Sequence, residues 1–131
     1  MTGGLEIELT GAPAGAPPAE RTRTLVVAAL AARGITDGHI AINYVDDEQI
    51  AALNAEHRGK EGPTDVLSFP IDGTGPAAGP RELGDIVICA ARTTDLEQAI
   101  VHGALHLTGM DHETDEGQML ALQDELIERL R

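Results

Sequence analysis

The chain has 131 residues, of which 42% are hydrophobic and 2% aromatic. That length predicts one domain over 1–131, with a core built from Leu, Ile, Val and Ala, because Trp is absent and Tyr44 and Phe69 are the lone Tyr and Phe. A formal net charge of -13 argues against broad, sequence-independent nucleic-acid binding, so any RNA contact needs a local basic patch.

Cys89 is the one cysteine, which excludes an intrachain disulfide and favours a reducing compartment. The start MTGGLEIELTG has neither the basic region nor the apolar run of a signal peptide. No stretch approaches the ~18 to 20 apolar residues of a membrane span. The expected location is the cytoplasm.

In chain order, LEIEL (Leu5 to Leu9) alternates apolar and acidic residues as a half-buried strand does. A Pro- and Gly-rich loop follows. The stretch from Ala19 to Arg33 reads as a helix with Leu25, Val26, Ala29 and Leu30 inward and Gly34 as its stop. His39 to Val45 alternates again as a second strand. DDEQIAALNAEHRG reads as a short helix, with Asp46 as its cap, Gln49 completing the box and Gly59 ending it. Val66 to Phe69 is a short third strand, and Asp72 to Pro80 a flexible loop. Leu83 to Cys89 is apolar enough to be a central strand.

TDLEQAIVHGALHLTG predicts a buried helix, capped by Thr94 with Glu97 and stopped by Gly109. The last helix is expected from about Thr114 to Arg131, with acids in its first turn and arginines in its last. Met119, Leu122, Leu126, Ile127 and Leu130 share one face. The mixed element order predicts an α+β fold: a small mixed sheet of about four strands packed with helices.

Three of the five histidines fall in HGALHLTGMDH, His102 to His112. Residues four apart share a helix face, so His102 and His106 can point at one metal ion. Gly109 can end the helix and return His112 to the same point. Three neutral imidazoles suit one zinc ion, with a fourth position open to water, which is the catalytic rather than the structural arrangement. The spacing H-x-x-x-H-x-x-G-x-x-H is that of metzincin proteases. Their glutamate base, however, is replaced here by Gly103, which disfavours that mechanism. Asp111 is a candidate base or an orienting partner of a histidine, and equally a cap for the turn that follows. Asp85 is a second nearby carboxylate. His39, His57 and Cys89 read as ordinary structural or surface residues.

RGKEGPTDVLSFP (Arg58 to Pro70) is the other unusual stretch. Arg58 and Lys60 are two of nine cations, on a loop where Gly59, Gly62 and Pro63 allow a sharp turn. Arg58 can present a guanidinium to a phosphate there, although an ordinary surface loop would look the same.

LNAEHRGKEGPTDVLSFP, LGDIVI and VHGALHLTGMDHE, in this order, resemble the bacterial YbeY family of ribosomal-RNA maturation endoribonucleases. The similarity extends over nearly the whole chain. It implies an α+β fold with a zinc-binding helix, one zinc ion on His102, His106 and His112, and a functional arginine at Arg58. It implies cleavage of single-stranded RNA in small-subunit ribosomal RNA maturation and ribosome quality control. The implied partners are ribosomal RNA, ribosomal proteins and ribosome-associated GTPases, with no DNA or membrane. Two features depart from the family's pattern. Met110 and His57 stand where an aromatic is usual, and the segment between LGDIVI and the histidine helix is short. The rival readings are a zinc-stabilised ribosome-assembly factor without catalysis, which the acidic surface suits, and a metal-dependent protease.

Overall fold

The computed structural model describes residues 4–72 and 81–130. Its strands are β1 (Leu5–Thr10), β2 (Gly38–Val45), β3 (Val66–Pro70) and β4 (Glu82–Cys89). Its helices are α1 (Ala19–Ala31), α2 (Asp47–Arg58), α3 (Leu96–Leu107) and α4 (Gln118–Arg129), with a 3-10 turn at Ala90–Arg92. The strands form one mixed sheet in the order β1-β2-β4-β3. β1, β2 and β4 run parallel, and β3 pairs antiparallel with β4 at the edge. This is the expected α+β class.

β4 is interior, as its apolar run implies, and both of its faces are covered. Ile86 and Ile88 join Ile40, Ile42 and residues of α1, α3 and α4 in the main core. Val87 and Cys89 face the other way, into a smaller cluster with Ile50 of α2 and Leu67 of β3. Period-2 alternation thus divides one strand between two cores.

α2 has the predicted capping box. Asp46 Oδ1 accepts from Gln49 N–H at 2.8 Å, and Gln49 Oε1 accepts from Asp46 N–H at 3.1 Å. Gly59 closes the helix at φ 66°, in the left-handed region.

Two predicted helix starts are corrected. The cap of α3 is Asp95, whose Oδ1 accepts from Gln98 N–H at 3.0 Å, rather than Thr94. Glu97 is drawn away into a two-pronged pair with Arg21 of α1, both contacts being 2.9 Å. α4 begins at Gln118 rather than near Thr114, and no acid lies in its first turn. The intervening acids make turns instead. Asp115 accepts from Gly117 N–H at 2.8 Å and Met119 N–H at 2.9 Å, which satisfies amides that α4 leaves unpaired. Residues 73–80 of the expected loop, and Arg131, lie outside the described residues.

A candidate metal centre on an open cleft

α3 is the helix that presents the histidines. One side of it is buried through Ile100, Val101, Ala104, Leu105 and Leu107, which leaves His102 and His106 half-buried on the other. The packing requires Gly103. A Cβ there would stand 2.6 Å from Ile86 Cγ2 and 3.1 Å from Ile86 Cγ1 and Cδ1, and Ile86 is fully buried. Any side chain at this position, a glutamate included, would therefore have to displace a buried neighbour, which disfavours a base here by contact as well as by sequence.

Beyond α3 the chain turns at Gly109, φ 100°. That turn returns His112, as the spacing predicts. The coordinating atoms of His102, His106 and His112 all lie within 4.8 Å of one another. The three rings meet edge to face, with centroids 4.7 to 5.3 Å apart.

The hydrogen bonds set the tautomers. His102 Nδ1 lies 2.7 Å from Gln123 Oε1, and His106 Nδ1 lies 2.9 Å from the Met110 carbonyl. Both partners are acceptors, so each Nδ1 carries the hydrogen and each Nε2 keeps a free lone pair. Burial, and then the neighbouring His102, push the His106 pKa below the usual imidazole range. The neutral form that a metal needs is thereby favoured. His112 Nδ1 is buried with no hydrogen-bond partner among the described residues. Three convergent imidazoles, two of them locked from behind, fit a divalent ion such as zinc.

The three histidines line an open cleft of about 920 Å³. Arg58, at the end of α2, lines the same cleft, with Glu113 Oε1 at a loose 3.9 Å from its guanidinium. Asn54, four residues earlier, donates to the Gly62 carbonyl at 2.9 Å and ties down the loop that follows Arg58. Asp111 also lines the cleft, and its Oδ1 accepts from Glu113 N–H at 2.9 Å. It therefore caps the turn, and it faces the site as well. Asp85 is exposed on β4 and is not part of the cleft wall.

The remaining singled-out residues behave as ordinary ones. His39 is held between Glu82 at 2.9 Å and Glu8 at 2.7 Å and does not line the cleft. His57 sits edge-on to Phe69, with centroids 4.9 Å apart, at the cleft margin. Cys89 is fully buried and donates to Asp47 Oδ1 at 3.2 Å. Burial, and then that hydrogen bond, raise its thiol pKa, the opposite of an activated nucleophile. The short segment before α3 is a single 3-10 turn, with Arg92 paired to Asp47 at 2.8 Å.

Gln123 is the site residue that sequence reasoning missed. The signal was present: it falls on the buried stripe of α4 between Met119 and Leu126, where a polar residue needs a partner.

Fold and cleft define an α+β protein with a three-histidine centre suited to a metal ion. A family model described as Endoribonuclease YbeY matches residues 18–131. The Endoribonuclease YbeY of Rubrobacter xylanophilus is 40% identical over 118 residues, spanning 86% of this chain and 84% of that protein. That of Persephonella marina is 39% identical, over 74% and 73% of the two chains. That of Anaeromyxobacter sp. is 46% identical over 77% of this chain, which matches 58% of that relative's length. The solution structure of TM1509 from Thermotoga maritima is similar in fold. Its TM-score is 0.56 at 26% identity, covering 95% of this chain and 88% of that one. The chain belongs to the Endoribonuclease YbeY family, a family of enzymes named for the hydrolytic cleavage of RNA. No described helix is long and apolar enough to cross a membrane.

Proposed function

We propose that the chain, acting as one domain over 1–131, is a zinc-dependent endoribonuclease specific for single-stranded RNA. Its work would be small-subunit ribosomal RNA maturation and ribosome quality control in the cytoplasm, beside ribosomal proteins and ribosome-associated GTPases. The observation that carries the reading is the shared cleft, which joins Arg58 to three metal-ready histidines.

His102, His106 and His112 would hold the ion. When bound, zinc supplies Lewis-acid charge for a phosphate oxygen. Arg58 supplies a guanidinium, which matches two phosphate oxygens and neutralises the charge that builds at the transition state. Asp111 Oδ1 is occupied by the turn, which leaves Oδ2 to accept the proton of the attacking hydroxyl. That hydroxyl is either a water or the RNA's own 2′-hydroxyl. A 2′,3′-cyclic phosphate among the products identifies the second.

A role as an assembly factor without catalysis is favoured by one observation, the net charge of -13, which suits docking on basic ribosomal proteins. Incubation with single-stranded RNA, the same RNA as a duplex, and casein separates the readings. The proposed activity cuts the first alone. Cutting of casein alone points to a protease, and no cutting of any substrate points to an assembly factor.

A further inference from the structure

The edge of the sheet bears on how substrate lies in this cleft. β3 is the outer strand, and among the described residues no strand pairs beyond it. Asp65 C=O accepts from Cys89 N–H at 2.8 Å, and the Phe69 carbonyl packs against Gly84 of β4. Residues 65 and 69 thus turn their main-chain groups toward β4. Alternation turns those of Val66, Ser68 and Pro70 outward. The residues from Thr64 to Pro70 all line the cleft. Successive side chains on a strand point to opposite faces, so a cleft touching every one of them runs along the strand's edge.

The outward donors are then easily accounted for. Val66 N–H is taken by Asp65 Oδ1 at 2.9 Å. Pro70 has no N–H. Among the described residues, Ser68 N–H is then the one main-chain donor left on the outer edge of β3. It lies beside the histidine helix: Ser68 Oγ makes a long hydrogen bond to the Gly103 carbonyl at 3.4 Å, one residue from His102.

We infer that the Ser68 main-chain N–H is a substrate contact, donating to a phosphate oxygen of single-stranded RNA laid along β3. The inference rests on the RNA-cleavage reading above. A peptide adding to a sheet edge uses a ladder of alternating donors and acceptors. Asp65 and Pro70 reduce this edge to one donor, which breaks such a ladder. One amide suits one phosphate, since main-chain N–H groups are regular phosphate partners. The outward carbonyls of Val66 and Ser68 suit sugar hydroxyls and base amino groups, which RNA also offers.

Ser68→Pro removes this N–H without touching the ladder to β4, whereas Ser68→Ala keeps it. Zinc-loaded protein carrying each change would be compared on a short single-stranded RNA. The expected kcat/KM of Ser68→Pro is at least about tenfold below that of Ser68→Ala, as loss of a hydrogen bond to a charged group implies. Equal rates in two folded, zinc-loaded variants would overturn the inference. Amide NMR of the wild-type protein decides the case should Ser68→Pro fail to fold. On titration with an uncleaved 2′-O-methyl oligonucleotide, the Ser68 amide is expected to shift together with Arg58 Nε–H. A shift at Arg58 but not at Ser68 overturns this inference and leaves the nuclease reading standing. No shift at either overturns both. A Ser68 shift with casein fragments but not with RNA assigns the edge to peptide instead.

Discussion

Gln123 Oε1 on α4 accepts from Nδ1–H of His102 on α3 at 2.7 Å, so the closing helix orients a candidate metal ligand from behind. Gln123 is almost fully buried, and so the contact is shielded from water. Partners of this kind typically contribute about 10- to 100-fold to metal affinity. Gln123→Leu should weaken zinc binding by about that factor, measured by competition with a chelator. Gln123→Glu keeps an acceptor and should bind zinc more tightly than the Leu variant.

Gly103 is held to glycine by Ile86. Gly103→Ala gains about 1 kcal/mol of helix propensity but overpacks a buried contact, at a cost of about 1–3 kcal/mol. Net destabilisation in urea unfolding is expected. The closest atom is Ile86 Cγ2, which Ile86→Val would retain and Ile86→Ala would remove. Introducing Gly103→Ala should therefore cost less in an Ile86→Ala background than in wild type.

Arg58 lines the cleft on an exposed helix end, loosely paired with Glu113. Arg58→Glu should lower RNA cleavage by orders of magnitude. Zinc content should be unchanged, and stability should move by no more than about 0.5 kcal/mol, as for a surface substitution. Arg58→Lys should recover only part of the activity, because an ammonium lacks the two-pronged geometry. Rates at fixed low salt test this. Cleavage by Arg58→Glu at the wild-type rate would remove Arg58 from the mechanism.

His39 gives the fold a pH dependence of its own. Its hydrogen bonds to Glu82 first, and to Glu8 second, raise its pKa above 6.5. The protonated form is therefore favoured in the folded state. Its contribution is complete below pH 6.5 and is lost as pH rises through the folded-state value. Solvent screening keeps the effect within about 1 kcal/mol. The stability difference between wild type and His39→Gln, from denaturant midpoints, should shrink from pH 6 to pH 9. A difference that grows over this range would contradict the assignment.

Much of this architecture was legible in the sequence where a local rule had no competitor. Asp46 and Gln49 form the capping box they spell, and the apolar run of β4 marks an interior strand. His102 and His106 needed only the helical repeat, and Gly109 announced the return of His112. Legibility failed where neighbouring groups competed. Thr94 and Asp95 both qualify as caps, and Glu97 was claimed by Arg21, 76 positions away. The acids after His112 resemble a helix start, yet Asp115 serves as a side-chain acceptor for the real one at Gln118. The edge position of β3 depends on its antiparallel pairing with β4, which no local pattern encodes.

The central claim is that three histidines hold one zinc ion that RNA cleavage requires. The most direct measurement is zinc titration into metal-depleted protein, with bound zinc and single-stranded RNA cleavage read from the same samples. The account predicts that both rise together and saturate at about one zinc per chain. It also predicts that His106→Ala shows neither. Full cleavage by metal-depleted protein, or by His106→Ala without bound zinc, would contradict it.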